Sequence, residues 1–141
     1  MHRVVLDTSV VVAAFRSRNG ASNLLLRQVA LGSVRPLLTT ALYLEYEEVL
    51  SRPEHRLASG LEEDDVAAIL AAIASAAEPV EVHFRWRPQL PDPADELVLE
   101  AAVNGRAQAL ITHNLRDFEQ AAKRFHLPIV TPKQWIEESR S

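Results

Sequence analysis

The 141-residue sequence contains no cysteine, which excludes disulfide bonds and thiolate metal sites. No apolar run approaches the length that crosses a membrane, and Asp7 interrupts the apolar stretch that would otherwise suggest a secretory signal. We therefore interpret the chain as cytoplasmic, with no membrane partner. Repeats, low-complexity tracts and interdomain linkers are also missing, so residues 1–141 are expected to form a single domain.

The sequence also has no excess of basic residues. The formal net charge is -4 and the sequence pI is near 5.7. Proteins that hold nucleic acid mainly by electrostatics are usually basic, so this balance counts against a general DNA- or RNA-coating module. It counts less against a nuclease, because a metal site concentrates acidic residues locally.

Short apolar runs alternate with helical patterns along the chain. The predicted strands cover 4–6, 34–39, 80–84, 109–112 and 129–131, and Pro36 indicates an edge position for the second. Alternation of this kind predicts an α/β fold, a three-layer, doubly wound α/β/α arrangement with a parallel sheet. Ligands of such sheets bind at the carboxyl ends of the strands, near the point where the winding direction reverses.

Two carboxylates follow predicted strands. Asp7 interrupts the apolar run RVVLDTSVVVAAF, where an unpaired buried carboxylate would be costly. It could cap the next helix, although Thr8 and Ser9 could do so without a charge. Asp117 lies just beyond the fourth strand, after Thr112 and Asn114, and could also be a helix cap.

Two further carboxylates lie on helix faces that are expected to turn inward. Glu45 lies beside an apolar stripe that includes Leu42 and Tyr46, and it could simply extend to solvent at the edge of the core. Asp95 projects away from the predicted solvent face of its helix. That face consists of Glu96, Glu100 and Asn104. Asp95 could serve only the helix dipole, a benefit of about 0.3–1 kcal/mol that Glu96 could supply from the solvent side.

Taken together, the four carboxylates are expected at one edge of the sheet. Their mutual repulsion would be costly without a divalent cation. Oxygen ligands suit Mg²⁺ or Mn²⁺, whereas the absence of cysteine and of an HxxxH pair disfavours zinc. Such a site could activate water for attack on a phosphodiester.

Three segments carry a resemblance to a known family: VVLDTSVVVAAF, LYLEYEEVLSRPEHR and LPDPADELVLEAAVNGRAQALITHNLRDF. In this order they resemble the PIN-domain family, in particular the toxins of toxin–antitoxin pairs related to VapC-type ribonucleases. The resemblance implies a five-stranded parallel sheet and an endoribonuclease that uses one or two Mg²⁺ or Mn²⁺ ions. It also implies RNA as the substrate, a small antitoxin protein as a partner, and a homodimer.

The resemblance also implies residue roles. The catalytic carboxylates would be Asp7, Glu45, Asp95 and Asp117, of which Asp7, Asp95 and Asp117 would hold metal. The supporting residues would be Thr8, Ser9, Asp92, Thr112 and Asn114. Many family members have an acid where this chain has Asn114. Arg16, Arg18 and Arg116 are candidates for binding RNA phosphates.

Other interpretations compete with this one. A receiver-like phosphorylation module would need a second acid beside Asp7 and a lysine after a late strand, and neither is evident. A haloacid-dehalogenase-type phosphatase would need an aspartate where Ser9 stands. A catalytically degenerate PIN scaffold that binds RNA or a protein partner stays open, because a sequence does not show that ions bind.

Overall fold

The computed structural model of the protein describes residues 2–17, 19–85 and 89–139. Within them, five strands alternate with eight helices. The strands are β1 (His2–Leu6), β2 (Val34–Leu38), β3 (Glu78–Pro79), β4 (Ala109–Ile111) and β5 (Ile129–Val130). The helices are α1 (Thr8–Arg16), α2 (Ala21–Ala30), α3 (Thr40–Leu50), α4 (Pro53–Ser59), α5 (Glu63–Ala76), α6 (Pro93–Gly105), α7 (Leu115–Arg124) and α8 (Pro132–Ser139).

All strands pair in parallel, in the order β3-β2-β1-β4-β5. The fully buried residues Val4, Val5 and Leu6 of β1 form the centre of the core and pair with 109–111 of β4. Successive strands move in one direction from β1 to β3 and in the other from β4 to β5, so the winding reverses at β1. The predicted three-layer, doubly wound α/β/α fold is confirmed.

Within the part of the chain that is described, no helix is both long and apolar enough to cross a membrane.

The second strand is not at an edge of the sheet, so the expectation from Pro36 was wrong. β2 lies between β1 and β3, and Pro36 pairs with Val4 of β1. The proline is tolerated because β3 is only two residues long and pairs with Leu37 and Leu38. At Pro36 itself, β2 therefore has no paired neighbour on its outer side.

The third strand begins earlier than the predicted 80–84. It covers Glu78–Pro79, and the ladder ends where the Val80 N–H donates to the Leu38 carbonyl at 3.0 Å. Beyond it, the N–H groups of His83 and Phe84 both donate to Asn104 Oδ1 at 2.9 Å. A side chain of α6 thus satisfies backbone groups that a neighbouring strand would otherwise pair.

The predicted solvent face of α6 is instead covered by the chain that precedes the helix. Glu96 is only 5% exposed and Glu100 only 7%. Glu96 Oε1 accepts the N–H groups of Gln89 at 2.6 Å and Leu90 at 2.8 Å, and Asn104 holds 83–84 in the same way. Glu96 and Asn104 therefore bind backbone groups, and periodicity alone does not distinguish such residues from residues that face water.

We predict that Glu96→Ala lowers the free energy of unfolding by about 1–3 kcal/mol, because the buried Leu90 N–H and the half-buried Gln89 N–H lose their acceptor. Glu96→Gln keeps a side-chain oxygen at this position and should lose clearly less. Urea unfolding of the two variants measures the difference. Equal losses in both would show that packing, and not hydrogen bonding to 89–90, accounts for the buried Glu96.

Candidate active site

The candidate site lies where the winding of the sheet reverses. Asp7 directly follows β1, and Thr112 directly follows the adjacent strand β4. The Asp7 N–H donates to the Ile111 carbonyl at 2.9 Å, which extends the ladder between these strands by one step. Side chains at this point emerge at the crevice where doubly wound folds bind their ligands.

Asp7 is buried, at 4% exposure, and is held by two hydroxyl groups. Its Oδ2 accepts from Thr112 Oγ1 at 2.6 Å and from Ser9 Oγ at 2.9 Å. Asp7 occupies the N-cap position of α1, but its carboxylate accepts no N–H of that helix. Helix capping by its side chain therefore does not explain the buried charge.

The connection from β4 to α7 is fixed at successive residues. The fully buried Thr112 hydroxyl accepts the Asn114 N–H at 2.9 Å while it donates to Asp7. The intervening His113 hydrogen-bonds through Nε2 to Oγ of the buried Ser22 in α2, at 3.0 Å. This connection leads into the first turn of α7, which carries Asp117.

Tyr46 ties α3 to the end of β1. Its hydroxyl donates to the Leu6 carbonyl at 2.5 Å, one residue before Asp7. Burial, and then the negative charge of Asp7, raise the pKa of the Tyr46 phenol well above its ordinary value. Because Glu45 precedes Tyr46, the same contact fixes the backbone that carries Glu45 next to the end of β1. This role was not predicted from the sequence, although a tyrosine within an apolar stripe needs a partner for its hydroxyl.

The pKa of Asp95 shows that the negative charges of the acidic residues repel one another. Burial raises its pKa to about 6, with further contributions from the negative charges of Asp7, Asp92, Asp117 and Glu45, in that order. We call these five residues the acid cluster. Every carboxylate that the sequence predicted at the site belongs to it.

The pKa of Glu45, on α3, is also raised by burial and by neighbouring carboxylates. Burial and the neighbouring Glu48 raise its pKa, Arg52 opposes them, and the charges of Asp92 and Asp7 add to the increase. Asp92 also has a structural role, since its Oδ1 accepts the Ala94 N–H at 2.9 Å at the start of α6. Among the described residues, no member of the cluster forms a salt bridge.

The donor set fits a hard divalent cation. Carboxylate oxygens are the ligands that Mg²⁺ and Mn²⁺ prefer, and the enclosed Thr8 Oγ1 has no hydrogen-bond partner among the described residues. Within the described ranges, however, no three Asp, Glu or His side chains are close enough together to surround one ion. The cluster is thus an acidic crevice of suitable chemistry and not a closed coordination sphere.

The crevice opens on one side into a cleft of about 410 Å³ between residues 89–92 and α7. The residues that line it are Gln89, Leu90, Pro91, Asp92, Asp95, Arg116, Asp117, Glu119 and Gln120. Of the predicted RNA-binding arginines, Arg116 therefore lies beside the acids. Arg16 hydrogen-bonds to His55 Nδ1 at 2.6 Å, and Arg18 lies outside the described residues.

Comparison with known proteins identifies the family. The model of the family described as PIN domain matches residues 3–116, well over half of the chain. The match includes every member of the acid cluster except Asp117, which follows it by one residue. PIN domains are generally nucleases that require metal. Neither the search of curated proteins nor the search of solved structures finds a match.

We predict that Tyr46→Phe lowers the free energy of unfolding by about 0.5–1.5 kcal/mol, the usual value of one hydrogen bond. Tyr43→Phe is the matched control, because Tyr43 lies on the same helix and its hydroxyl bonds to no described residue. Urea unfolding compares the two. An equal change in both variants would mean that the bond to Leu6 contributes nothing.

We also predict an unusual pH dependence in the metal-free protein. The pKa of Asp95 is about 6 in the folded chain against an ordinary 3.8, so between these values the folded state binds more protons than the unfolded state. The free energy of unfolding should therefore rise as the pH falls through this window. The contribution should be absent from Asp95→Asn and present in Asp64→Asn, which changes an exposed acid on α5.

Urea unfolding with EDTA between pH 7 and pH 4 measures this dependence, as the difference between wild type and each variant. A wild-type curve parallel to that of Asp95→Asn would contradict the raised pKa.

Proposed function

Because the chain belongs to the PIN-domain family, we propose that it is a divalent-metal-dependent endoribonuclease and the toxin of a toxin–antitoxin pair. The observation that carries the proposal is the buried Asp7 carboxylate, which Thr112 and Ser9 hold at the winding reversal, beside the cleft lined by Asp92, Asp95 and Asp117. The raised pKa of Asp95 agrees with mutual repulsion among these carboxylates. A cluster that repels itself in this way loses stability unless a cation offsets it. The cluster lies at the winding reversal, where doubly wound folds bind their ligands.

In this proposal Asp7, Asp95 and Asp117 hold one or two Mg²⁺ or Mn²⁺ ions. The bound metal would supply Lewis-acid stabilisation of the charge that develops on the phosphate, and would lower the pKa of a bound water. Thr112 and Ser9 keep Oδ2 of Asp7 in place by donating to it. Thr8, Asp92 and Asn114 would supply further polar groups around the metal site.

Glu45 and Asp117 would position the attacking water and accept its proton. Burial and the neighbouring charges raise the pKa of Glu45, which makes this carboxylate a better base than an exposed one. Water, and not the ribose 2′-hydroxyl or a side chain, would attack the phosphorus. The 3′-oxygen would leave, so the products would be a 5′-phosphate and a 3′-hydroxyl. Arg116, beside the acids, would bind an RNA phosphate.

We predict that Asp7→Asn, Glu45→Gln and Asp95→Asn each reduce RNA cleavage by about a hundredfold or more. A metal site contributes several kcal/mol to the transition state, and each ~1.4 kcal/mol is a factor of ten in rate. Glu47→Gln is the control, since Glu47 is an exposed acid on the same helix as Glu45. Cleavage of labelled RNA with Mn²⁺, with and without EDTA, measures the effect.

Circular dichroism of each variant verifies that the fold is intact. Full cleavage by a folded Asp95→Asn variant would overturn the assignment. A wild-type protein that binds RNA but never cleaves it with either metal would favour the degenerate scaffold.

The toxin assignment carries two further expectations from the family, a small antitoxin partner and a homodimer. An apolar groove of about 510 Å³ between α2 and α5 supports a protein partner, with Leu26, Val29, Ile69 and Ile73 in its lining. Co-expression with the neighbouring open reading frame, followed by native mass spectrometry, tests both. Monomers that never copurify with a second protein would count against the toxin assignment and leave the nuclease assignment standing.

A further inference from the structure

The proposed hydrolysis uses only part of the cleft beside the acid cluster, namely its carboxylates and Arg116. Its lining extends from Asp92, Asp95 and Asp117 to polar and apolar groups that do not belong to the cluster. These further groups include Leu90 and Pro91 on one wall and Gln120 on the other. A volume of about 410 Å³ lies within the range of small-molecule sites.

One wall of the cleft is held in place from two sides. The backbone N–H groups of Gln89 and Leu90 donate to the buried Glu96 carboxylate. The Gln89 side chain accepts from Arg124 Nη1 at 2.8 Å through its Oε1. This wall is therefore organised before any ligand arrives, which lowers the entropic cost of binding.

The opposite wall, on α7, presents groups that are free to bind. Arg116 and Gln120 are one helical turn apart and lie on the same face. Among the described residues, neither side chain has a hydrogen bond or ion pair. Arg116 is the only cation in the described lining, and it is adjacent in sequence to Asp117.

We propose that this cleft binds the nucleotide of the RNA substrate that adjoins the cleaved bond, and that it selects the base. The proposal rests on the proposed nuclease function. Arg116 takes the phosphate, because guanidinium groups match phosphate oxygens. The base packs against Leu90 and Pro91, and the Gln120 amide bonds its edge, as single-stranded RNA is commonly recognised.

The order of residues along α7 orients the nucleotide. Asp117 and Arg116 lie in the first turn, and Gln120 lies one turn further from the start of the helix. The phosphate is therefore near the acid cluster and the base points away from it. Four carboxylates also line the cleft, so a free phosphate ion alone should bind poorly, and a nucleotide should bind better with Mg²⁺ present.

Nuclear magnetic resonance titration of the full chain with the four ribonucleoside 5′-monophosphates, with inorganic phosphate as reference, tests the cleft directly. With Mg²⁺ present, we expect the signals of Gln89, Leu90 and Gln120 to shift, and one base to bind several-fold more tightly than the others. Arg116→Ala should weaken binding of every nucleotide about tenfold, since the charged hydrogen bonds to the phosphate are lost. Gln120→Ala should reduce the difference between bases. Lys123→Ala is the control, because Lys123 is an exposed cation on α7 outside the lining.

Cleavage of a randomised RNA pool, read by sequencing, separates this proposal from the nuclease function. A base preference next to the cut that Gln120→Ala weakens and Lys123→Ala preserves would support the cleft. Cleavage with a pattern unchanged in Gln120→Ala, together with no nucleotide-induced shifts, would overturn the cleft and leave the nuclease function intact. If the wild type cuts nothing, the nuclease function fails, and the titration alone decides whether the cleft binds nucleotides.

Discussion

The hydrogen bond from Thr112 to Asp7 is the contact on which the site depends. It joins the ends of two adjacent parallel strands at the point where the winding of the sheet reverses. It also fixes the buried Asp7 carboxylate, whose negative charge helps to raise the pKa of Asp95 and of Glu45. Tyr46 brings α3 to the same point by bonding the carbonyl of Leu6. The sheet thus fixes the position of Asp7, and α3, α6 and α7 supply the other carboxylates of the acid cluster.

The sequence was sufficient to predict the α/β class, the parallel sheet and the carboxylates that act on Asp95. These predictions depend on chain-wide alternation and on charges placed in apolar runs, which are local signals. Tyr46 was recognised as core, but the partner of its hydroxyl was not. That partner is 40 positions away in sequence and becomes a neighbour only through the fold.

The errors concern groups whose partners are backbone atoms. Glu96, Glu100 and Asn104 have the spacing of a solvent face, yet Glu96 and Glu100 are buried, and Glu96 and Asn104 accept N–H groups of the chain before α6. The third strand was placed too late because 80–84 has strand-like alternation. In the structure, the N–H groups of His83 and Phe84 donate to the Asn104 side chain and not to a neighbouring strand. Pro36 was assigned to an edge because the two-residue length of β3 cannot be deduced from a pattern. In each case, tertiary hydrogen bonding decided between structures that periodicity leaves equivalent.

Thermal melting of wild type and Asp95→Asn, with and without Mn²⁺, shows whether the acid cluster binds a divalent cation. A ligand that binds the folded state but not the unfolded state raises the melting temperature. We expect Mn²⁺ to raise the wild-type midpoint, and Asp95→Asn to melt higher than wild type without metal but to respond little to Mn²⁺. An unchanged wild-type midpoint, together with a variant that is simply less stable, would contradict cation binding and identify Asp95 as a helix-terminus residue.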